Sequence, residues 1–261
     1  MRSPLLALVL TAACRHAAPS QVPHNVSAIG PSVHVDRDEP LGWLALGTLP
    51  TSDGSWIPVS DHVGALTLTD DPLPQRVTVI GSRGGPEQLS VGESIPLKYG
   101  CDNNELGVRP LGGVRLPPGP AWMLPPTAPS DWRPAAIAVH GTHADPNHHS
   151  WVAGWLAFEL SRHDSTHADL VITRDGRKVY EQSYERAEMD GADHTGPLDL
   201  AESVPGIPEP IAAWSFSPAG PVLVVMLVPG YEGVTLQPFL IDEATTRVVE
   251  GMELYLYACA F

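Results

Sequence analysis

From position 41 onward, apolar residues come in short runs separated by turn-forming residues, which is the pattern of β-strands rather than of helices. Gly42-Trp43-Leu44-Ala45-Leu46, Ala65-Leu66-Thr67-Leu68-Thr69, Arg76-Val77-Thr78-Val79-Ile80 and Ser94-Ile95-Pro96-Leu97-Lys98-Tyr99 are such runs. Asp53-Gly54, Asp71-Pro72 and Arg83-Gly84-Gly85-Pro86 separate them as turns. Further along, Asp169 to Arg174 and Arg177 to Glu181 flank Asp175-Gly176. An Asp-Gly pair suits a two-residue type I′ hairpin, since both of its positions need positive φ. A hairpin of that length places Ile172 opposite Val179 and Val171 opposite Tyr180, and it pairs Arg174 with Arg177. That last pair is a mild like-charge cost, which points to a solvent-facing tip.

Pro221 to Val228 is continuously apolar and is closed by Pro229-Gly230, as expected of a strand buried on both faces. Val248 to Cys259 is expected to be a final strand central to the core. Leu254, Leu256 and Ala258 lie on one of its faces and Tyr255, Tyr257 and Cys259 on the other. Ser150 to Leu160 is ambiguous: Trp151, Trp155 and Phe158 have helical spacing, yet Gly154 and the alternation of Val152, Leu156 and Phe158 permit a strand, the reading preferred here. Arg115 to Pro120 and Pro125 to Pro129 interrupt the pattern with prolines. The predicted fold is mainly β with little helix: two sandwich- or barrel-like units, 36–115 and 132–261, joined by a Pro-rich linker at 116–131.

Composition agrees with this. Pro (28) and Gly (24) are frequent and charged residues make up only 17%, which disfavours long surface helices. The net charge is -15, with Lys98 and Lys178 as the only lysines. Phosphate binding needs clustered cations, so nucleic acid and anionic lipid headgroups are excluded as partners.

Residues 1–13 have a different character. Arg2 precedes the apolar stretch Leu5 to Ala13, which is far shorter than the ~20 residues of a membrane-spanning helix. Basic start, apolar middle and small residues before Cys14 match an export signal. Thr11-Ala12-Ala13-Cys14 resembles the lipobox of bacterial exported lipoproteins, with Thr11 at a position usually taken by leucine and Leu10 one place earlier. The resemblance covers 14 residues and implies cleavage before Cys14, acylation of that cysteine, and anchorage to a bacterial membrane facing the periplasm or the cell exterior. Thr11 and Ala13 equally suit ordinary signal peptidase at the same bond, which would give a secreted chain without an anchor. Residues 14–35 show no apolar periodicity and read as a tether.

An exported chain keeps disulfides. With Cys14 assigned to the lipobox, Cys101 and Cys259 form the expected pair, enclosing about 158 residues; the chain-entropy argument assigns such a loop about 5 kcal/mol. Two separate buried thiols are the alternative.

The remaining chemistry centres on Val139-His140-Gly141-Thr142-His143-Ala144-Asp145-Pro146-Asn147-His148-His149. As a turn-rich loop, it could close His140, His143, His148 and His149 on zinc or copper, with Asp145 as an oxygen ligand. A plain solvated loop is the competing reading, since the spacing matches no zinc motif and adjacent imidazoles point apart on extended backbone. An apolar strand ending in His140-Gly141 also resembles the oxyanion loop of α/β-hydrolases. That resemblance implies a G-x-S-x-G elbow and a later histidine, but no elbow is present. The nearest serines, Ser215 and Ser217, lie after the last histidine, His194, and Pro218 and Pro221 bar the following helix. Asp36, Asp38 and Glu39, and Asp102 to Glu105, lack the calcium-loop pattern. The seven tryptophans fit either a core or a stacking groove.

The expected function is therefore an exported envelope lipoprotein acting as a non-catalytic binding or structural module, with an envelope protein or a small molecule as its partner. An exported metal-binding protein or hydrolase using the 140–149 segment is the alternative.

Overall fold

A computed structural model describes residues 32–34, 40–50, 56–58, 65–67, 73–98, 105–112, 119–128, 130–145, 147–164, 167–185, 207–217, 221–230, 233–241, 248–250 and 254–257. Every regular element among them is a β-strand. The first ten are β1 (Ser32–His34), β2 (Pro40–Leu46), β3 (Thr48–Pro50), β4 (Trp56–Pro58), β5 (Ala65–Thr67), β6 (Arg76–Gly81), β7 (Pro86–Val91), β8 (Ile95–Lys98), β9 (Glu105–Gly112) and β10 (Pro120–Leu124). Then come β11 (Ala135–Ile137), β12 (Val139–Asp145), β13 (His148–Ala153), β14 (Leu156–Arg162), β15 (His167–Arg174) and β16 (Arg177–Glu185). The last are β17 (Glu209–Ser215), β18 (Val222–Gly230), β19 (Gly233–Ile241), β20 (Val248–Glu250) and β21 (Leu254–Tyr257).

The first sheet runs β2-β10-β6-β7-β9-β5, and β5 also pairs with β2, so these strands close into a ring. Strand alternation then sends one set of side chains inward. Trp43, Ala45, Val77, Val79, Leu89, Leu111, Ala121 and Met123 form that interior. Small residues face small ones (Ala45 opposite Ala121) and large face large (Trp43 opposite Met123), which lets the interior fill without voids. The outward residues of the same strands are also apolar, because another sheet covers them: Leu44, Leu46, Ile80, Trp122 and Leu124 pack against Trp214, Leu223, Val225 and Leu236.

That covering sheet, β11-β17-β18-β19-β20 with β21 also on β19, is the middle layer. On β18, Leu223 and Val225 face the barrel, whereas Val222, Val224 and Met226 face a second core shared with the third sheet, β12-β13-β14-β15-β16. Burial on both faces is the physical reason for the uninterrupted apolar run. The third sheet offers Trp151, Leu156, Phe158, Leu160, Leu170 and Ile172 to this core and an alternating polar face to solvent.

Several expectations change. Pro120–Leu124, inside the expected linker 116–131, is β10, sitting between β2 and β6; Trp122 and Met123 bury in opposite cores and hold it there. The two expected units also share one apolar core across the barrel and the middle sheet. The segment 150–160 is two strands joined at Gly154, whose φ of 62 explains its glycine. The Asp175-Gly176 turn has positive φ at both positions (47 and 76) and pairs Arg174 with Arg177. A bulge then shifts the register, so that Ile172 faces Tyr180 and Val171 faces Glu181 instead of the expected partners. The like-charge cost at the tip is offset, because Arg174 lies over the Trp155 ring at 4.7 Å and its Nε is 3.5 Å from Asp175. Among the described residues, the last two strands, β20 and β21, are short and pair with β19 alone; they are an edge rather than a central strand, although Leu256 is buried. Cys14, Cys101 and Cys259 lie outside the described residues.

Candidate functional site

The histidine segment is a hairpin rather than a loop. β12 and β13 pair His140 with Val152, Thr142 with Ser150 and Asp145 with His148. Strand alternation therefore separates the neighbours His148 and His149: the first is exposed and the second buried, with its ring stacked 6.1 Å from Trp151. His140 and His148 share the outer face but sit at opposite ends of the hairpin. Val152, the partner of His140, lies four positions beyond His148 on β13, roughly 13 Å along the strand. His140, His148 and His149 thus do not converge on one ion, and no cluster of three or more metal-binding side chains occurs among the described residues. His143 lies on β12, and its side chain is outside the described residues.

The imidazoles on the outer face instead join a polar row across the third sheet. His148 Nδ1 lies 3.2 Å from Ser161 Oγ, and Ser161 is opposite Asp169 in the ladder. Ser183 donates its hydroxyl to Asp169 Oδ1 at 2.6 Å, and His163 Nε2 is 2.7 Å from Asp169 Oδ2. At the same sheet end, His167 Nδ1 is 3.0 Å from Asp164. The Ser183 hydroxyl foremost, and then the His163 hydrogen bond, hold the Asp169 carboxyl below its usual range by stabilising the ionised form. The stability this contributes is fully present above the unfolded carboxylate pKa of about 4 and is lost as pH falls through the lower folded value. Ser183→Ala is expected to raise the Asp169 midpoint in a carbon-detected NMR titration. The stability gap between variant and parent is expected to narrow as pH drops from about 6 towards 3. An unmoved midpoint would show that the hydroxyl does not govern the carboxyl.

His140 belongs to a different feature. At the junction of barrel and middle sheet lies a cleft of about 740 Å³, bounded by the β6–β7 turn, the start of β10, the β11–β12 segment and the start of β17. Its floor is buried: Thr48, Pro120 and Ala212. The floor is braced by the Gly119 amide, which donates to Thr48 Oγ1 at 2.9 Å. Ile137, Val139 and Ile211 form half-buried walls, with Glu209 beside them. Arg83 and His140 stand exposed at the rim. Chemically this is an open cleft that is polar and apolar in equal measure, with Ile137, Val139 and Ile211 on its walls and Arg83, His140 and Glu209 towards its mouth.

Sequence reasoning singled out His140 but none of its neighbours here. Arg83-Gly84-Gly85-Pro86 reads correctly as a turn, yet nothing local tells that this turn meets β11 and β17. Most of the tryptophans resolve towards the core: Trp43, Trp122, Trp151 and Trp214 are buried, Trp132 packs on Phe216 at 4.8 Å, and Trp155 is half-buried; the side chain of Trp56 is outside the described residues. Asp36, Asp38, Glu39, Asp102, Asn103 and Asn104 lie outside the described residues. No known protein family, curated protein or solved structure matches this chain.

Proposed function

We propose that the chain is an exported lipoprotein of the bacterial envelope, anchored through Cys14, whose β body is a non-catalytic module that binds a small ligand in the cleft. The observation that carries the binding reading is the cleft itself. Its volume of about 740 Å³ lies in the range of small-molecule sites, and it sets half-buried apolar walls, Ile137, Val139 and Ile211, beside polar groups that can orient a ligand. A side chain such as Arg83 on a turn above a braced floor can orient a ligand without rearranging the sheets.

The anchor rests on Leu5 to Ala13 and on the lipobox-like Thr11-Ala12-Ala13-Cys14. Two or more acyl chains attach a protein stably to a bilayer, and residues 14–35 would hold the body clear of it. A Cys101–Cys259 disulfide belongs to the same reading, because an exported chain meets oxidising conditions. Expression of the full chain in a bacterium with labelled palmitate is expected to label it and to send it to the membrane fraction. Cys14→Ser is expected to lose both. A mature chain that begins at an unmodified residue would refute the anchor, and peptide mapping without reductant reads the disulfide directly.

A further inference from the structure

Resting on the small-ligand reading of the cleft, we infer that its ligand is an organic anion, a carboxylate carried on an apolar body, with Arg83 as its counter-charge. The chain has 15 basic against 30 acidic residues, so acids to neutralise an arginine are plentiful. Several cations take up such partners or backbone carbonyls: Lys178 lies 2.6 Å from Glu181, Arg174 sits beside Asp175, and Arg162 donates to the Asp164 carbonyl at 2.8 Å; Arg76, Arg109 and Arg177 have no such contact among the described residues, but none of these three lines this cleft. Arg83 has no ion pair or hydrogen bond among the described residues, yet it stands at the mouth of a cleft.

His140 on the same rim adds a second nitrogen donor. Among the described residues, Glu209 is the one acid lining the cleft, and it is already engaged in an interaction of its own. The balance at the mouth thus favours an incoming negative charge over a positive one. A guanidinium binds a carboxylate through two parallel hydrogen bonds, which fixes orientation as well as charge. Ile137, Val139 and Ile211 below the rim offer apolar surface that a bare inorganic anion would not use.

The test compares probes with one body and different heads: 3-phenylpropionate, 3-phenylpropanol and 3-phenylpropylammonium. Each is titrated calorimetrically into the purified full chain, with empty lipid nanodiscs as the blank where the chain is acylated. The carboxylate is expected to bind at least tenfold tighter than the alcohol or the ammonium. Arg83→Gln, an exposed turn position that leaves the fold intact by circular dichroism, is expected to weaken the carboxylate at least tenfold and leave the alcohol unchanged. Equal binding of the three heads, or an unaffected carboxylate in Arg83→Gln, overturns the anion assignment while the small-ligand reading stands. Failure of the folded chain to bind any of the three overturns the small-ligand reading itself.

Discussion

Val224→Asp is expected to leave no folded chain in water at 25 °C. Val224 is fully buried on β18, the strand flanked by β17 and β19 in the middle layer, and it points into the core between the second and third sheets. A carboxylate there would enter an apolar core that includes Trp151, Phe158 and Phe239. An unpaired buried charge costs several kcal/mol even after relaxation, and the lost apolar burial of valine adds about 1.5 kcal/mol or more. Together these rival the 5–15 kcal/mol by which whole domains are stable. The control is Val152→Asp on the outer face of the third sheet, where the side chain is 48% exposed; it is expected to change stability by no more than about 0.5 kcal/mol. Circular dichroism and urea titration of the two variants make the comparison. A Val224→Asp chain that unfolds at the parent's urea midpoint would mean that the middle layer is not sealed.

The second large effect is expected from Trp214→Ala. Trp214 is fully buried, lies 6.2 Å from the Trp122 ring, and donates its indole N–H to the Gly81 carbonyl at 3.0 Å. It therefore joins β17 of the middle sheet to β6 of the barrel by packing and by a hydrogen bond. Truncating a core tryptophan costs about 3–5 kcal/mol, and the buried Gly81 carbonyl also loses a donor. Because the barrel and the middle sheet share this core, tryptophan fluorescence and far-ultraviolet circular dichroism are expected to report one coincident urea transition, moved to lower urea in the variant. Two separate transitions would mean that the barrel folds as an independent unit. Trp122→Phe offers a contrast. Its Nε1 is buried without a hydrogen-bond partner among the described residues, so removing that N–H forfeits none of the bonds seen, and the cost is expected to be well below that of Trp214→Ala.

Local patterning made much of the strand content legible. Gly42 to Leu46, Arg76 to Ile80 and Val222 to Val228 lie within strands because alternating or continuous apolar runs bounded by turn residues have few other stable conformations in water. The Asp175-Gly176 turn was readable for an equally local reason, the need for positive φ. The register beyond it was not: a bulge falls between Ile172 and Thr173 and sets Ile172 opposite Tyr180, whose ring lies 5.1 Å from Phe239 of another sheet, a contact no local pattern records. β10 was hidden by its flanking prolines. Pro120 begins the strand and Pro125 follows it, so the same residues that mark a stiff spacer also delimit a short central strand.

The candidate site was legible in one residue. His140 drew attention as part of a histidine cluster, but the hairpin distributes that cluster over two faces and two ends. Its actual company, Arg83, Glu209 and Ile211, comes from segments whose approach no local pattern records.

What the sequence by itself determined is the β character, the location of about half of the strands and the double burial of β18, because these follow from side-chain periodicity and turn chemistry within a few residues. The closure of the barrel through β5, the stacking of three layers and the cleft at their junction were decided only by the tertiary structure. They arise from contacts between residues far apart in the chain, where the choice of partner is set by the complementarity of whole apolar faces and not by any single run.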